Sequence, residues 1–147
     1  GSRRPEVRAV ATWAGLARPG RYAELFPTDG DPNRPVEIRN MRTGEVLPLH
    51  RDVLHDLEEN WDRLDPLTAL RSGGLPLLVL HGQHDEAVSL DDAKLYATTG
   101  AHTELTVLES TGHTFDVRHP YSGSTPALER AISSTVAHFR KFVSKEL

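Results

Sequence analysis

The strongest constraint on the fold is an apolar run at residues 75–80 and the polar segment directly after it. The run has the length and composition of a strand that is buried on both faces of a parallel sheet. It breaks at Gly82, and the following loop contains His84, Asp85 and Glu86. Open α/β sheets bind ligands beyond the carboxyl ends of their strands, so we expect this loop to carry functional side chains.

A second apolar run, at residues 105–108, ends shortly before a Gly-His pair at 112 and 113. Parallel strands end at the same edge of a sheet, so we expect His113 to lie near Asp85. A carboxylate beside an imidazole holds the ring in one tautomer, and the ring then serves as a general base. The sequence therefore predicts an acid–base pair of Asp85 and His113. Glu86 is the adjacent substitute for the acid, and Gly112 is expected to allow the tight loop that aims the imidazole.

Hydrophobic periodicity predicts alternating strands and helices, which is typical of an α/β protein with a parallel sheet and right-handed crossovers. The predicted parallel strands are residues 7–14, 75–81 and 105–109. A hairpin of residues 36–40 and 45–49 is expected to turn at Gly44, which tolerates a positive φ. The predicted helices are a short one near 21–26, then 51–64, 89–99 and a long one from Pro126 to about Lys145.

The predicted helices have recognisable ends and apolar faces. Ser89 and Thr125 are the expected N-caps, with Pro126 in the first helical position. Asp65-Pro66 is expected to end the helix over 51–64. The faces expected to be buried are Val53, Leu54, Leu57, Trp61 and Leu64 in that helix, and Leu128, Ile132, Val136, Phe139 and Val143 in the last one.

Two motifs carry a resemblance to a known family. An apolar strand followed by His-Gly-x-x-Asp-x-x-Val, residues 81–88, and a later Gly-His-x-Phe, residues 112–115, resemble the acid and base loops of the α/β-hydrolases, in the family's order of acid then histidine. Within the family the chain looks most like the dipeptidyl-peptidase and acylaminoacyl-peptidase-like serine hydrolases. The resemblance implies a partial α/β-hydrolase fold, with a C-terminal core of residues 1–17 and 72–147 and a cap insertion at 18–71 that contains the hairpin and a helix.

The resemblance implies the C-terminal part of a serine hydrolase that cleaves ester or peptide bonds. The nucleophile elbow Gly-x-Ser-x-Gly and an oxyanion-hole segment such as His-Gly-Gly do not occur in the sequence. Ser110, Ser122 and Ser124 are poor substitutes, because none has the glycine-flanked strand-to-helix turn. At 147 residues the chain is shorter than a complete enzyme of about 250 residues. We therefore expect it to supply Asp85 and His113 but not the nucleophile, and to be inactive alone.

The residues leave other interpretations open. The strand over 7–14 would have an unpaired, apolar edge, which predicts a homodimer or a complementary chain. The chain would then be either one part of a split enzyme or a catalytically silent, self-associating α/β domain. His81, His84, Asp85 and His113 are a rival set of zinc ligands, although the spacing favours no metal site and no cofactor.

Composition narrows the class of protein further. The net charge of −4 argues against a nucleic-acid partner, and the absence of cysteine excludes disulfides and a thiolate nucleophile. No apolar stretch is long enough for a membrane span and no signal-peptide pattern opens the sequence, which predicts a cytoplasmic protein. Trp13 and Trp61 are expected to pack in the core or cap, and His50, His55, His102 and His138 to be solvated.

Overall fold

The computed structural model describes residues 4–29, 31–40 and 43–143, and of Val143 only the backbone. The predicted buried position of Val143 and the predicted helix end near Lys145 thus lie outside what is described. The strands are β1 (Val10–Trp13), β2 (Val36–Arg39), β3 (Val46–Leu49), β4 (Leu77–Gly82) and β5 (Thr103–Leu108). The helices are α1 (Asp52–Glu59), α2 (Trp61–Leu64), α3 (Pro66–Gly73), α4 (Leu90–Thr99), α5 (Pro126–Val143) and a 3₁₀ helix (Pro19–Leu25).

Three parallel strands form the main sheet, in the order β1-β4-β5. Val10 pairs with Leu77 on one side of β4, and Leu77 pairs with Thr103 on the other. This confirms the predicted fold class, a parallel three-stranded sheet with flanking helices. β2 and β3 form the separate antiparallel hairpin, and Gly44 in its turn has a φ of +77°, as expected.

The central strand β4 is buried along its whole length. Alternate side chains of a strand point to opposite faces of the sheet. Leu77 and Val79 accordingly pack with Ala93 and Tyr96 of α4. On the other face, Leu78 and Leu80 pack with Leu108, Phe115 and Ala131. The continuous apolar run in the sequence thus serves two cores, one on each side of the sheet.

The helix caps agree with the sequence. Ser89 Oγ accepts a hydrogen bond from the Asp91 backbone N–H at 3.2 Å and begins α4. Thr125 Oγ1 accepts one from the Leu128 N–H at 3.1 Å, and Pro126 occupies the first position of α5.

The predicted buried face of α5 is wrong in large part. Ile132, Val136 and Phe139 are 46%, 42% and 36% exposed, whereas Ala131 is fully buried against the sheet. His138, expected to be solvated, is also buried. Leu128 alone of the four described apolar residues of the predicted face is partly buried and packs against the sheet core, as expected. Ile132, Val136 and Phe139 remain on the surface. No helix in the described residues, α5 included, is long and apolar enough to cross a membrane.

The helix predicted over 51–64 is interrupted. Asn60 leaves helical geometry with φ −113° and ψ 17°, which separates α1 from α2. Of the predicted apolar face only Leu57 is buried, while Trp61 and Leu64 are exposed. A further helix, α3, was not predicted. Pro66 disfavours helical geometry in the residue before it, but it also suits the first position of a new helix.

The chain divides into two compact units, Gly1–Ala17 with Pro66–Leu147 and Arg18–Asp65. The boundary after Asp65 places α3 with the parallel sheet, whereas the sequence suggested a boundary at 71/72. Within the second unit, Arg51 donates a hydrogen bond to the Pro27 carbonyl and lies over the ring of Phe26, with 5.0 Å to its centroid. This contact joins α1 to the segment after the 3₁₀ helix.

Candidate active site

The loop after β4 holds the carboxylate of Asp85 in a fixed orientation. One oxygen, Oδ1, accepts hydrogen bonds from the backbone N–H groups of Ala87 at 2.9 Å and Val88 at 2.8 Å. The side chain is fully shielded from solvent. A short acidic side chain that binds the backbone two and three residues on is typical of a turn of this kind. With Oδ1 occupied, Oδ2 is the oxygen that faces other side chains.

The loop after β5 brings His113 to that oxygen. Its Nδ1 lies 2.9 Å from Asp85 Oδ2. A carboxylate only accepts hydrogen bonds, so Nδ1 carries the proton and the other ring nitrogen, Nε2, carries the lone pair in the neutral ring. The His113 side chain is 44% exposed. The structure therefore brings the two residues selected from the sequence together, with the imidazole on the solvent side of a buried acid.

Backbone contacts join the two loops. The N–H of Gln83 donates to the Leu108 carbonyl at 2.9 Å, and the N–H of His84 donates to the Thr111 carbonyl at 2.9 Å. The side-chain carbonyl of Gln83 in turn accepts from the Ser110 N–H at 3.2 Å. Parallel pairing thus continues past the ends of β4 and β5, and it fixes the separation of the two site residues.

Gly82 permits this close approach. A Cβ atom at Gly82 would lie 2.4 Å from the carbonyl oxygen of Gly112 and 2.6 Å from that of Thr111. A Cβ at Gly112 would meet only the His84 carbonyl oxygen, at an ordinary 3.6 Å. The expected role of Gly112 in the tight loop is therefore not required by the geometry. The signal in the sequence was the glycine at the strand end, where backbones approach closely.

The segment after His113 is anchored to α5. Phe115 and Asp116 have φ values of 52° and 62°, a turn conformation that is uncommon outside glycine. The ring of Phe115 is buried and packs edge-on against Trp13, with centroids 5.6 Å apart. The Thr125 hydroxyl donates to the Phe115 carbonyl at 2.6 Å, so the cap of α5 also secures this loop.

The remaining predicted site residues lie outside this pair. His84 and Glu86 are exposed, and Glu86 does not replace Asp85 in the contact with His113. Across the described ranges, His113 makes no hydrogen bond to a serine, and no group of three His, Asp or Glu residues is arranged to hold a metal ion. His81, a member of the rival zinc-ligand set, is buried beside Asp85.

Comparison with solved structures reveals relatives in fold. The chain is similar to the esterase domain of a Rhodothermus marinus protein, with a TM-score of 0.61 and 21% identity over 94% of this chain and 54% of that one. It is similar to Est1E from Butyrivibrio proteoclasticus, with a TM-score of 0.65 and 17% identity over 93% and 53%. The chain has an α/β-hydrolase fold.

A third similar structure comes from a study of the metagenome-derived lipolytic enzymes LipS and LipT, with a TM-score of 0.59 and 17% identity over 95% of this chain and 58% of that one. The chain thus spans about half the length of the solved structures it matches. No family model and no curated protein matches the sequence. At sequence identities this low, the similarity shows that the fold is shared and no more.

Proposed function

We propose that the chain is the C-terminal part of a serine hydrolase and supplies the acid and the base of a Ser-Asp-His triad. The observation that carries this proposal is the 2.9 Å hydrogen bond between His113 Nδ1 and Asp85 Oδ2 at the carboxyl ends of β4 and β5. The acid precedes the histidine in the chain, as it does in α/β-hydrolases.

In this mechanism His113 Nε2 takes the proton of a serine hydroxyl as the serine attacks a carbonyl carbon, and later returns it to the leaving group. Asp85 holds the tautomer and stabilises the imidazolium that forms. Its own orientation is supported by the Ala87 and Val88 N–H groups, so little reorganisation accompanies the charge change. The serine and the oxyanion-hole N–H groups come from a segment outside these residues, so the chain alone is inactive.

We further propose a small ester or a peptide as substrate, and residues 18–71 as a cap insertion. The names of the neighbours, an esterase domain and lipolytic enzymes, favour the ester. The dipeptidyl-peptidase-like motif favours the peptide. The cap proposal is supported by the position of this segment in the chain, since most of it, Arg18–Asp65, forms a compact unit of its own between β1 and α3.

The partner we propose is the nucleophile-bearing segment, which adds a strand to the open side of β1. The N–H groups of Val10 and Ala14 both donate towards β4. Alternate residues of a strand direct their N–H groups to opposite sides, so those of Ala11 and Trp13 point to the open edge. α5 contacts β1, since Trp13 Nε1–H donates to Thr135 Oγ1 at 2.9 Å, and its apolar side chains Ile132, Val136 and Phe139 are exposed. We propose that these side chains also contact the segment.

A fluorophosphonate probe, which labels activated serines, tests the proposed function. The purified chain is expected to remain unlabelled, whereas the chain joined to a nucleophile-bearing segment is expected to be labelled. His113→Ala should abolish this labelling, and the control His84→Ala, on the exposed neighbouring loop, should preserve it. Absence of labelling in the folded, joined protein, or equal labelling of His113→Ala, would overturn the proposal.

A catalytically silent domain that self-associates through β1 is the second candidate, favoured by the same open edge. Ala11→Pro removes an N–H on the open side, while Thr12→Pro removes one on the β4 side as a control. Sedimentation of a dimer that Ala11→Pro converts to a monomer, together with no probe labelling in any form, would support this candidate. A monomeric wild-type chain would exclude it.

A further inference from the structure

A second histidine lies buried at the candidate site, on the strand that leads into the acid loop. His81 is fully shielded from solvent, as is the carboxylate of Asp85. Its Nε2 lies 2.9 Å from the Val88 carbonyl oxygen and 3.4 Å from Asp85 Oδ2. Asp85 Oδ2 is therefore flanked by two imidazoles, with His113 at hydrogen-bond distance and His81 slightly farther away.

The contact with Val88 determines the tautomer of His81. A carbonyl oxygen only accepts, so Nε2 must carry the proton and donate it. Nδ1 of the same ring is buried and has no hydrogen-bond partner in the part of the chain that the structure describes. The polar edge that His81 presents to the loop is its Nε2–H.

Val88 connects this N–H to the acid. Its carbonyl accepts from His81, and its N–H donates to Asp85 Oδ1 at 2.8 Å. The hydrogen bond from His81 therefore ties the end of the loop at Val88 back to β4, and the hydrogen bond from the Val88 N–H holds the Asp85 carboxylate in the loop. Since Oδ1 is held through Val88, Oδ2 is turned towards His113.

Filling space does not explain this histidine. An apolar side chain of similar size would fill the same volume without burying the unpaired Nδ1, and an unpaired buried acceptor is destabilising. What a histidine offers here and an apolar residue does not is its Nε2–H, which lies next to both the Val88 carbonyl and Asp85 Oδ2.

We infer that His81 is a positioning residue for the acid: its Nε2–H fixes Val88 and the adjacent edge of Asp85 so that Oδ2 accepts the Nδ1–H of His113. The inference deepens the proposed function and rests on Asp85 and His113 being the acid and the base. His81 acts through Asp85 and touches no substrate.

Two amide substitutions separate this role from simple packing. In His81→Gln the side-chain amide nitrogen reaches about as far as Nε2 and can donate in its place. In His81→Asn it reaches only as far as Nδ1, where the native ring has no partner in the described residues. Both variants are neutral and bury an amide, so a purely structural role would not distinguish their effects on His113.

The measurement is the ¹⁵N and low-field ¹H spectrum of the histidine rings in the intact chain. Wild type and His81→Gln are expected to show His113 as the Nδ1–H tautomer with a low-field Nδ1 proton, and His81→Asn is expected to lose that resonance. Backbone amide spectra away from residues 81–88 provide the folding control. Retention of the resonance in folded His81→Asn, or its loss in folded His81→Gln, would overturn the inference.

The wild-type spectrum decides the matter if neither variant folds. His81 must carry a proton on Nε2, and a ring with its proton on Nδ1 and none on Nε2 would refute the positioning role. The readout needs no nucleophile. A chain that passes this test but is never labelled by fluorophosphonate would therefore fail only the proposed function.

Discussion

Two surfaces of the α/β unit differ in how far their groups are paired or covered by other residues of this chain. At the carboxyl ends of β4 and β5, the buried carboxylate of Asp85 has donors on both oxygens, and backbone hydrogen bonds join the loops. On the outer side of α5, Ile132, Val136 and Phe139 remain on the surface, and one edge of β1 has no paired strand within the described ranges. The first surface holds a hydrogen-bonded carboxylate–imidazole pair, whereas the second exposes apolar area that normally packs against another surface.

The largest expected effect concerns the surface with the carboxylate–imidazole pair. Asp85→Asn in the joined enzyme should lower kcat/KM by about 10⁴-fold, because an amide N–H facing His113 Nδ1 favours the wrong tautomer. Glu86→Gln makes the same chemical change one residue along, on an exposed side chain, and should have little effect. Steady-state kinetics on an activated ester measures both. Equal losses in the two variants would contradict the assignment of Asp85.

The second prediction compares the interior with the open surface. Leu78→Ala removes a fully buried side chain from β4 and should lower the free energy of unfolding by about 3 kcal/mol, because of lost burial and the cavity that remains. Ile132→Ala, on the half-exposed side of α5, should cost less than about 1 kcal/mol in the isolated chain. Urea denaturation with unchanged m-values is the measurement. Similar costs would mean that α5 is already covered, for example by self-association.

A third prediction concerns the contact between the loops. Gly82→Ala should lower the free energy of unfolding by about 2 kcal/mol and disturb the His113–Asp85 hydrogen bond, since its Cβ would overlap the Thr111 and Gly112 carbonyls. Gly112→Ala meets only an ordinary contact and should change stability by less than about 0.5 kcal/mol. Chemical denaturation and the His113 Nδ1 proton resonance together report both effects. A larger cost at Gly112 would restore the role first expected for it.

The smallest expected effect on stability is at the open surface. Ile132→Lys should change the free energy of unfolding of the isolated chain by less than about 0.5 kcal/mol, because a long side chain can extend its charge into water. The same substitution should weaken association with the nucleophile-bearing segment at least tenfold, because it places a charge in an apolar interface. Titration calorimetry of the two parts, with exposed Arg130→Lys on the same helix as control, checks this. Undiminished association would exclude α5 from the interface.

Much of the sheet could be predicted from the sequence. The burial of residues 77–80 in β4 follows from an apolar run of strand length, and the caps at Ser89 and Thr125 follow from side-chain chemistry that acts within three residues. The parallel topology also places Asp85 and His113 at one edge, where the structure brings them into contact. Their catalytic role stays a prediction until a nucleophile is supplied.

Tertiary structure decided which faces are covered. The periodicity of α5 correctly indicated a helix, but it wrongly suggested that Ile132 and Phe139 are buried. A stripe of apolar residues indicates a surface suited to packing, but not whether the residues that cover it belong to the same chain. Similarly, Pro66 has two local meanings, and only the packing of α3 in the sheet unit selected the start of a helix. Gly82 is needed because the Thr111 and Gly112 carbonyls, distant in sequence, lie against it. His81 contacts the Val88 carbonyl, which only the folded loop brings to the ring. Local patterns thus determine elements and their ends, whereas burial and side-chain pairing depend on what the rest of the fold brings next to them.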